Sequence, residues 1–242
     1  MISLITFELL MGQFGKRLPT VVLVLANLLP LYGVLWGDWD AGLLIVLYWA
    51  ENLIIGFYSL LKILLAKGSL GALIGNLFMG FFFCLHYGGF VGVHGMFLME
   101  FVPLSEDKLE MGNLTWPGHL VFLEMLSRVV NYLFSHMTPM MEIAFLVLFI
   151  SHGISFVFNY LLRQEFRYTT AKNMMGSPYA RIVVMHITLI VGAAFAAGMG
   201  SPLPLLVVMV LMKIGMDVGL HLWSHKKVDQ RAERAQGISQ QS

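Results

Sequence analysis

Residues Ala41–Leu65 read AGLLIVLYWAENLIIGFYSLLKILL, a stretch in which Glu51 and Lys62 are the only acidic or basic side chains. A helix needs about 20 mainly apolar residues to cross the hydrocarbon core of a bilayer. This stretch meets that requirement, so it predicts a membrane-spanning helix. Glu51 falls near its middle, where a carboxylate is costly unless another group compensates its charge.

The composition of the whole chain is typical of a membrane protein. Of its 242 residues, 58% are hydrophobic and 12% are charged, whereas soluble domains carry about 25% charged residues. The outer surface must therefore face the lipid bilayer, which is the expected partner. The net charge of +1 gives no indication of nucleic-acid binding, and the single cysteine, Cys84, excludes an intramolecular disulfide.

Five further stretches are long and apolar enough to span the membrane, namely Leu18–Trp36, Leu70–Met99, Pro139–Leu162, Tyr179–Ala197 and Leu203–Trp223. Together with Ala41–Leu65 they predict an all-α fold, a polytopic membrane helix bundle with six transmembrane helices over residues 18–224. The stretch Leu70–Met99 is longer than a bilayer requires, so we expect it to be tilted or broken near Gly88-Gly89.

Three segments outside these spans have their own predicted roles. Residues 1–17 form an apolar N-terminal segment that ends in positive charge, the reverse of a signal peptide, and predict an interfacial helix. Residues 225–242 predict a cytoplasmic tail. Residues 118–135 predict an outer amphipathic helix, because one helical face carries five polar residues, Glu124, Ser127, Arg128, Asn131 and Ser135.

The distribution of lysine and arginine predicts the orientation, because cytoplasmic segments of membrane proteins carry an excess of both. With both termini cytoplasmic, the outer segments hold only Lys108 and Arg128, and Lys213 lies within the sixth span. The inner segments hold the rest of the 15 basic residues, namely Lys16, Arg17, Lys62, Lys67, Arg163, Arg167, Lys172, Arg181, Lys226, Lys227, Arg231 and Arg234. We therefore expect a protein of the bacterial or archaeal cytoplasmic (inner) membrane with both ends inside.

Polar side chains are frequent inside the predicted spans, where they usually face the bundle interior, pair with each other or serve function. The candidates for a metal site are Glu51, His86, His152, Asp217 and His221, and the other predicted buried polar residues are Asn52, His94, Asn159, His186 and Lys213. Counted from the cytoplasmic side, Glu51 and His86 lie at the same depth of about 21–23 Å. We therefore expect these two side chains to interact.

Two kinds of compensation fit these buried groups. Asp217 and His221 lie one helical turn apart, and a bound ion would orient several imidazoles and neutralise carboxylates at once, which indicates a transition metal or zinc. Mutual pairing, with Lys213 on Asp217 and a histidine on Glu51, needs no metal.

Four motifs carry a resemblance to a known family. They are YWAEN at 48–52, HYGGF at 86–90, SHGISF at 151–156 and KIGMDVGLH at 213–221. The chain resembles a prokaryotic family of uncharacterised integral membrane proteins, a domain-of-unknown-function family, from about residue 20 to residue 225. The resemblance implies a membrane location and no particular activity.

Functions from several classes remain open. A metal-dependent membrane enzyme with a buried His/Glu/Asp site is favoured over a proton- or ion-coupled transporter or channel, since we find no internal repeat of the kind common in secondary transporters. A b-type haem protein with histidine ligands from two spans, or a structural membrane subunit, is a further alternative. Homo-oligomerisation also stays open.

Overall fold

The computed structural model describes residue 28 and residues 31–66, 70–102, 104–106, 109–167, 169–201 and 203–216. The regular structure within these ranges is helical, as predicted. Four helices are long and apolar enough to cross a membrane, namely Ala41–Leu65, Leu73–Phe101, Pro139–Leu162 and Ala171–Gly192. They coincide with the second to fifth predicted spans, although the last of them begins eight residues before Tyr179.

The helices are α1 (Ala41–Leu65), α2 (Leu70–Phe101), α3 (Val121–Ser135), α4 (Pro139–Ser155), α5 (Ala171–Met199) and the shorter apolar α6 (Leu203–Met216). A π-helical segment, Phe156–Leu162, continues α4, and the 3₁₀ turns are Gly118–Leu120 and Glu165–Arg167. Residues 31–36 are also helical.

The chain divides into two compact units. The larger is Asp40–Leu206, and the smaller comprises the two ends of the chain, of which residues 28, 31–39 and 207–216 are described. In the smaller unit the Gly33 carbonyl accepts backbone hydrogen bonds from Gly37 and Trp39, at 2.8 and 3.1 Å.

Several predicted elements lie outside the described residues. These are the N-terminal segment 1–17, most of the first span Leu18–Trp36, the end of the sixth span after Met216, and the tail 225–242.

Helix α1 is the central helix of the larger unit and packs against α2, α4 and α5. It begins after Asp40, whose Oδ1 accepts a hydrogen bond from the backbone N–H of Leu43 at 2.9 Å and so caps the helix. Val46 and Trp49, one turn apart, are fully buried. A helix enclosed on three sides provides the protected interior in which a polar side chain such as Glu51 can be held.

Side chains that bond to backbone carbonyls fix α1 against α2. The indole Nε1 of Trp49 donates to the Val91 carbonyl at 3.0 Å, and the Tyr87 hydroxyl donates to the Asn52 carbonyl at 3.0 Å. Because the later residue of α1 meets the earlier residue of α2, the two helices run antiparallel. Both bonds are buried, and they satisfy polar groups that would otherwise be costly to enclose.

Helix α2 is continuous, so the break that we considered near Gly88-Gly89 does not occur. The small residues of this region serve packing instead. A Cβ built on Gly92 would lie 2.9 Å from the backbone nitrogen of Leu126 in α3. Helix α3 therefore packs against α2 at a distance that requires glycine at this position.

Helix α4 begins at Pro139 after the N-cap Thr138, an arrangement that suits proline because its missing N–H is not needed there. Two hydroxyl groups attach it to α1. The Tyr58 hydroxyl donates to the Phe149 carbonyl at 3.1 Å, and the Tyr160 hydroxyl donates to the Lys62 carbonyl at 2.6 Å.

Glu124 of α3 organises residues 113–116, the loop that precedes α3. Its Oε2 accepts hydrogen bonds from the backbone N–H groups of Thr115 and Trp116, each at 2.8 Å. Arg128, one turn later, donates to its Oε1 at 2.8 Å and to the Asn113 carbonyl at 3.0 Å. The carboxylate therefore holds residues 113–116 against α3.

The polar face predicted for residues 118–135 was thus only partly right. Ser127, Asn131 and Ser135 are exposed, as an interfacial helix requires. Glu124 is buried, with 6% of its surface exposed, because the loop 113–116 folds over it.

Acid should release this loop. The hydrogen bond from the Trp116 N–H, with those from Arg128 and Thr115, lowers the pKa of Glu124. Because the folded value lies below the unfolded value of about 4.3, the stabilisation is present above that pH and is lost as pH falls through the folded pKa.

We expect Glu124→Gln to accelerate hydrogen exchange of the Thr115 and Trp116 amides severalfold at neutral pH, measured by mass spectrometry.

The matched control is Glu110→Gln, which changes an exposed carboxylate of the same connection and should leave exchange unchanged. Equal protection in Glu124→Gln and the unchanged protein would show that the carboxylate does not hold the loop.

Candidate functional site

The carboxylate of Glu51 lies where three of the helices that are long and apolar enough to cross a membrane meet. Its Oε1 is 3.4 Å from Nε2 of His152 in α4 and 3.3 Å from Nη1 of Arg181 in α5. The Glu51 side chain is 12% exposed, whereas those of His152 and Arg181 are 29% and 31% exposed. Glu51 is therefore the most enclosed of the three side chains, and His152 and Arg181 contact it from more exposed positions.

The partner predicted for Glu51 was wrong, because His86 does not meet it. The Nδ1 of His86 instead lies 2.8 Å from the Tyr179 hydroxyl, and the imidazole is exposed. Equal depth along two helices leaves their rotation undetermined, and the rotation of α2 directs His86 towards α5 rather than towards α1.

Arg181 is the residue of this group that the sequence analysis did not single out. It was counted among the cytoplasmic charges, on the expectation that the fifth span begins at Tyr179. Helix α5 begins instead at Ala171 and includes Pro178, which places Arg181 about 15 Å along the helix. The signal that would have found it is Glu51 itself, which needs a cation and has no basic residue within its own part of α1.

A second polar group joins α2 to α5. The Nε2 of His94 lies 3.0 Å from Nδ1 of His186, and the His86–Tyr179 contact lies about two turns earlier on both helices. Since the two contacts follow the same order along each chain segment, α2 and α5 run parallel. His94 is buried, with 4% of its surface exposed.

The residues predicted to be buried polar groups differ in their surroundings. Asn52 is buried and donates through Nδ2 to the Tyr48 carbonyl at 3.0 Å, and Lys213 is half-buried. Asn159 and His186 are exposed rather than buried. Asn159 lies in the π-helical continuation of α4, which packs only part of its circumference against the bundle, and it bonds to Ser155.

The predicted metal ligands are only partly described. Asp217 and His221 lie outside the described residues. Within the ranges that are described, no three His, Cys, Asp or Glu side chains are grouped so as to hold a metal ion. Glu51 and His152 meet, but His86 belongs to the other polar group, so these three do not form one centre. A metal site that uses Asp217 and His221 stays a prediction.

The Glu51 group can exchange a proton. Arginine keeps its charge at all accessible pH values, whereas imidazole and carboxylate gain and lose protons. A carboxylate between a permanent cation and an imidazole can therefore be ionised and paired, or protonated and released from both partners. The contact distances of 3.3 and 3.4 Å are long for charge-assisted hydrogen bonds, which commonly measure about 2.7–2.9 Å, so neither contact is tight.

The costs of removing Glu51 and of removing Arg181 from their pair should not be additive. Arg181→Gln removes the guanidinium from the carboxylate, and Glu51→Gln removes the carboxylate from the guanidinium. We expect each single change to lower the free energy of unfolding by about 1–3 kcal/mol, and the double change to cost less than the sum. Thermal and denaturant unfolding in one detergent would measure this cycle.

Arg163→Gln, at an exposed arginine, is the control and should change stability little. Additive costs for Glu51→Gln and Arg181→Gln would mean that the two charges do not interact energetically.

Comparison with known proteins gives a family and no activity. No curated protein and no solved structure matches the chain. A family model described as a family of unknown function (DUF6498) matches residues 9–234, nearly the whole sequence. The chain therefore belongs to the DUF6498 family.

Proposed function

We propose that the protein transports protons across the cytoplasmic membrane, and that Glu51 takes up and releases the transported proton. The observation that supports this proposal is the position of the Glu51 carboxylate. It is enclosed where α1, α4 and α5 meet, and it contacts both His152 and Arg181. Intramembrane carboxylates and histidines in such positions are typical of proton relays in pumps and transporters.

Each of the three side chains has a different role in the proposed proton transfer. Arg181 supplies a fixed positive charge that stabilises ionised Glu51. His152 carries an imidazole, a group that can pass a proton to or from the carboxylate. The pairing also supplies the charge compensation that a metal would otherwise provide, which favours transport over a metal-dependent enzyme.

Protonation of Glu51 would be coupled to helix packing. Ionised Glu51 attracts α4 through His152 and α5 through Arg181, and the neutral acid loses most of both attractions. Helix α4 changes to π geometry at Phe156, one turn after His152. Such π segments occur frequently at functional sites and give a helix a place to shift. Two arrangements of α1, α4 and α5 would therefore bind a proton at Glu51 with different affinities.

The membrane topology belongs to the same proposal. Two further spans, at Leu18–Trp36 and Leu203–Trp223, complete a six-helix bundle with both termini in the cytoplasm. The excess of lysine and arginine in the segments assigned to the inside supports this orientation. It places Glu51 about 15 Å from the outer end of α1, near the centre of the bilayer.

Reporter fusions test the topology. A reporter that is active only outside the cytoplasmic membrane should work when fused after Glu110 and fail after Ala171 and at the C-terminus. Activity at the C-terminus would contradict six spans with both ends inside.

Proton uptake tests the function. Purified protein in liposomes that contain a pH-sensitive dye should acidify the interior when a potassium gradient with valinomycin makes it electrically negative. We expect Glu51→Gln to abolish this uptake, because an amide neither binds nor releases a proton in this range, and His152→Gln to slow it at least severalfold.

Glu142→Gln is the matched control, since Glu142 is an exposed carboxylate in the first turn of α4, and its uptake should equal that of the unchanged protein. Uptake no greater than in protein-free liposomes, or equal uptake in Glu51→Gln, would contradict the proposal.

A further inference from the structure

A cavity of about 430 Å³ lies beside the second polar group, within the larger unit. Helix α2 forms one wall through residues 82–94, and His186 of α5 contributes to another. His119 of the 3₁₀ turn Gly118–Leu120 and Phe122 of α3 complete the lining. The volume falls within the range of small-molecule sites, about 300–1,000 Å³. Because most of the lining belongs to predicted spans, a molecule dissolved in the membrane could reach it.

The aromatic rings of the cavity suit a flat ligand. The His86 imidazole is stacked on the Phe82 ring, with centroids 5.2 Å apart and planes at 14°. The Phe90 ring meets the same imidazole edge-on, with centroids 5.1 Å apart, and Phe122 also lines the space. Rings arranged in this way offer both faces and edges to a further planar ring.

The imidazoles provide hydrogen bonding at fixed points. His86 and His186 each use Nδ1 in their contacts with Tyr179 and His94, and both residues line the cavity. The Nε2 atoms of His86 and His186 lie outside these two contacts. An imidazole Nε2 either donates or accepts a hydrogen bond, depending on which nitrogen carries the proton. The cavity can therefore bind a carbonyl oxygen as well as a hydroxyl group.

The charge of the side chains that line the cavity further restricts the class of ligand. Among the described residues that line the cavity, none is Asp, Glu, Lys or Arg. A phosphate or carboxylate headgroup normally requires arginine, lysine or a helix N-terminus. The lining suits an uncharged ligand with an apolar body, a flat ring and oxygen atoms that accept hydrogen bonds in one form and donate them in another.

We propose that this cavity is a binding site for a membrane-soluble quinone and its quinol, oriented by His86 and His186 and lined by Phe82, Phe90 and Phe122. The ring would stack among the phenylalanine side chains, and its oxygen atoms would meet the Nε2 atoms of the two histidines. The quinone form accepts hydrogen bonds and the quinol form donates them, which the two imidazole tautomers match. The proposal concerns binding and does not depend on Glu51.

Calorimetric titration of decylubiquinone into the purified protein, held in phosphatidylcholine nanodiscs, tests the site. We expect saturable binding to one site per chain. Val93→Phe, which fills the cavity, should abolish this binding. His186→Leu should weaken it about tenfold through the lost hydrogen bond, whereas His186→Gln should keep most of the affinity because an amide also donates and accepts.

Two controls separate binding from folding and from proton transfer. Ile150→Phe adds similar bulk at an exposed position of α4 and should bind like the unchanged protein, and the melting temperature of each variant must show that it is folded. Glu51→Gln should still bind decylubiquinone at one site per chain even where proton uptake is lost. Heats equal to those of empty nanodiscs would mean that lipid fills the cavity, and they would overturn the proposal. Unaltered binding in a folded Val93→Phe variant would also overturn it.

Discussion

A carboxylate enclosed within an apolar helix bundle is costly to keep ionised without a partner, and in this protein two other helices each supply a partner for Glu51. His152 and Arg181 approach the same oxygen from α4 and α5. The desolvation of one acid thus requires α1, α4 and α5 to pack with a defined rotation about their axes. The hydrophobic effect does not distinguish such rotations within lipid, because lipid tails are as apolar as leucine. The Glu51 contacts therefore specify an arrangement that apolar side chains alone would leave undetermined.

The same constraint explains how the other helix pairs are joined. Trp49, Tyr58, Tyr87 and Tyr160 are apolar over most of their surface and end in one hydrogen-bond donor, and each donor meets a backbone carbonyl of a neighbouring helix. A backbone carbonyl in a helix already accepts one bond, but its second lone pair can accept another. Aromatic donors of this type therefore join helices without leaving a buried donor unsatisfied. Close packing at Gly92 brings α3 onto α2.

The sequence predicted the helices well and the pairings poorly, for physical reasons. The length and apolarity of Ala41–Leu65 and Pro139–Leu162 suffice to predict spans, since both properties are local. Which side chain meets Glu51 depends on how neighbouring helices are rotated and where each begins. The beginning of α5 at Ala171 rather than at Tyr179 moves Arg181 from the expected cytoplasmic boundary to the side of Glu51. The burial of Glu124 likewise depends on the path of residues 113–116, which helical periodicity does not determine.

Helix α5 contributes to both polar groups, and this shared helix relates them. Tyr179 contacts His86, and two residues later Arg181 contacts Glu51. Tyr87 lies between the two groups, since its ring is 6.0 Å from that of Tyr179 while its hydroxyl bonds to the carbonyl of Asn52, the residue after Glu51. A shift of α5 that lengthens the Glu51–Arg181 contact would also move Tyr179 and His186, and with them the imidazoles that border the cavity. Charge at Glu51 and occupancy of the cavity would then be thermodynamically linked, and by reciprocity each would alter the affinity of the other site for its ligand. The size of that linkage is set by how rigidly α5 moves as one body between Tyr179 and His186, a length of about two turns.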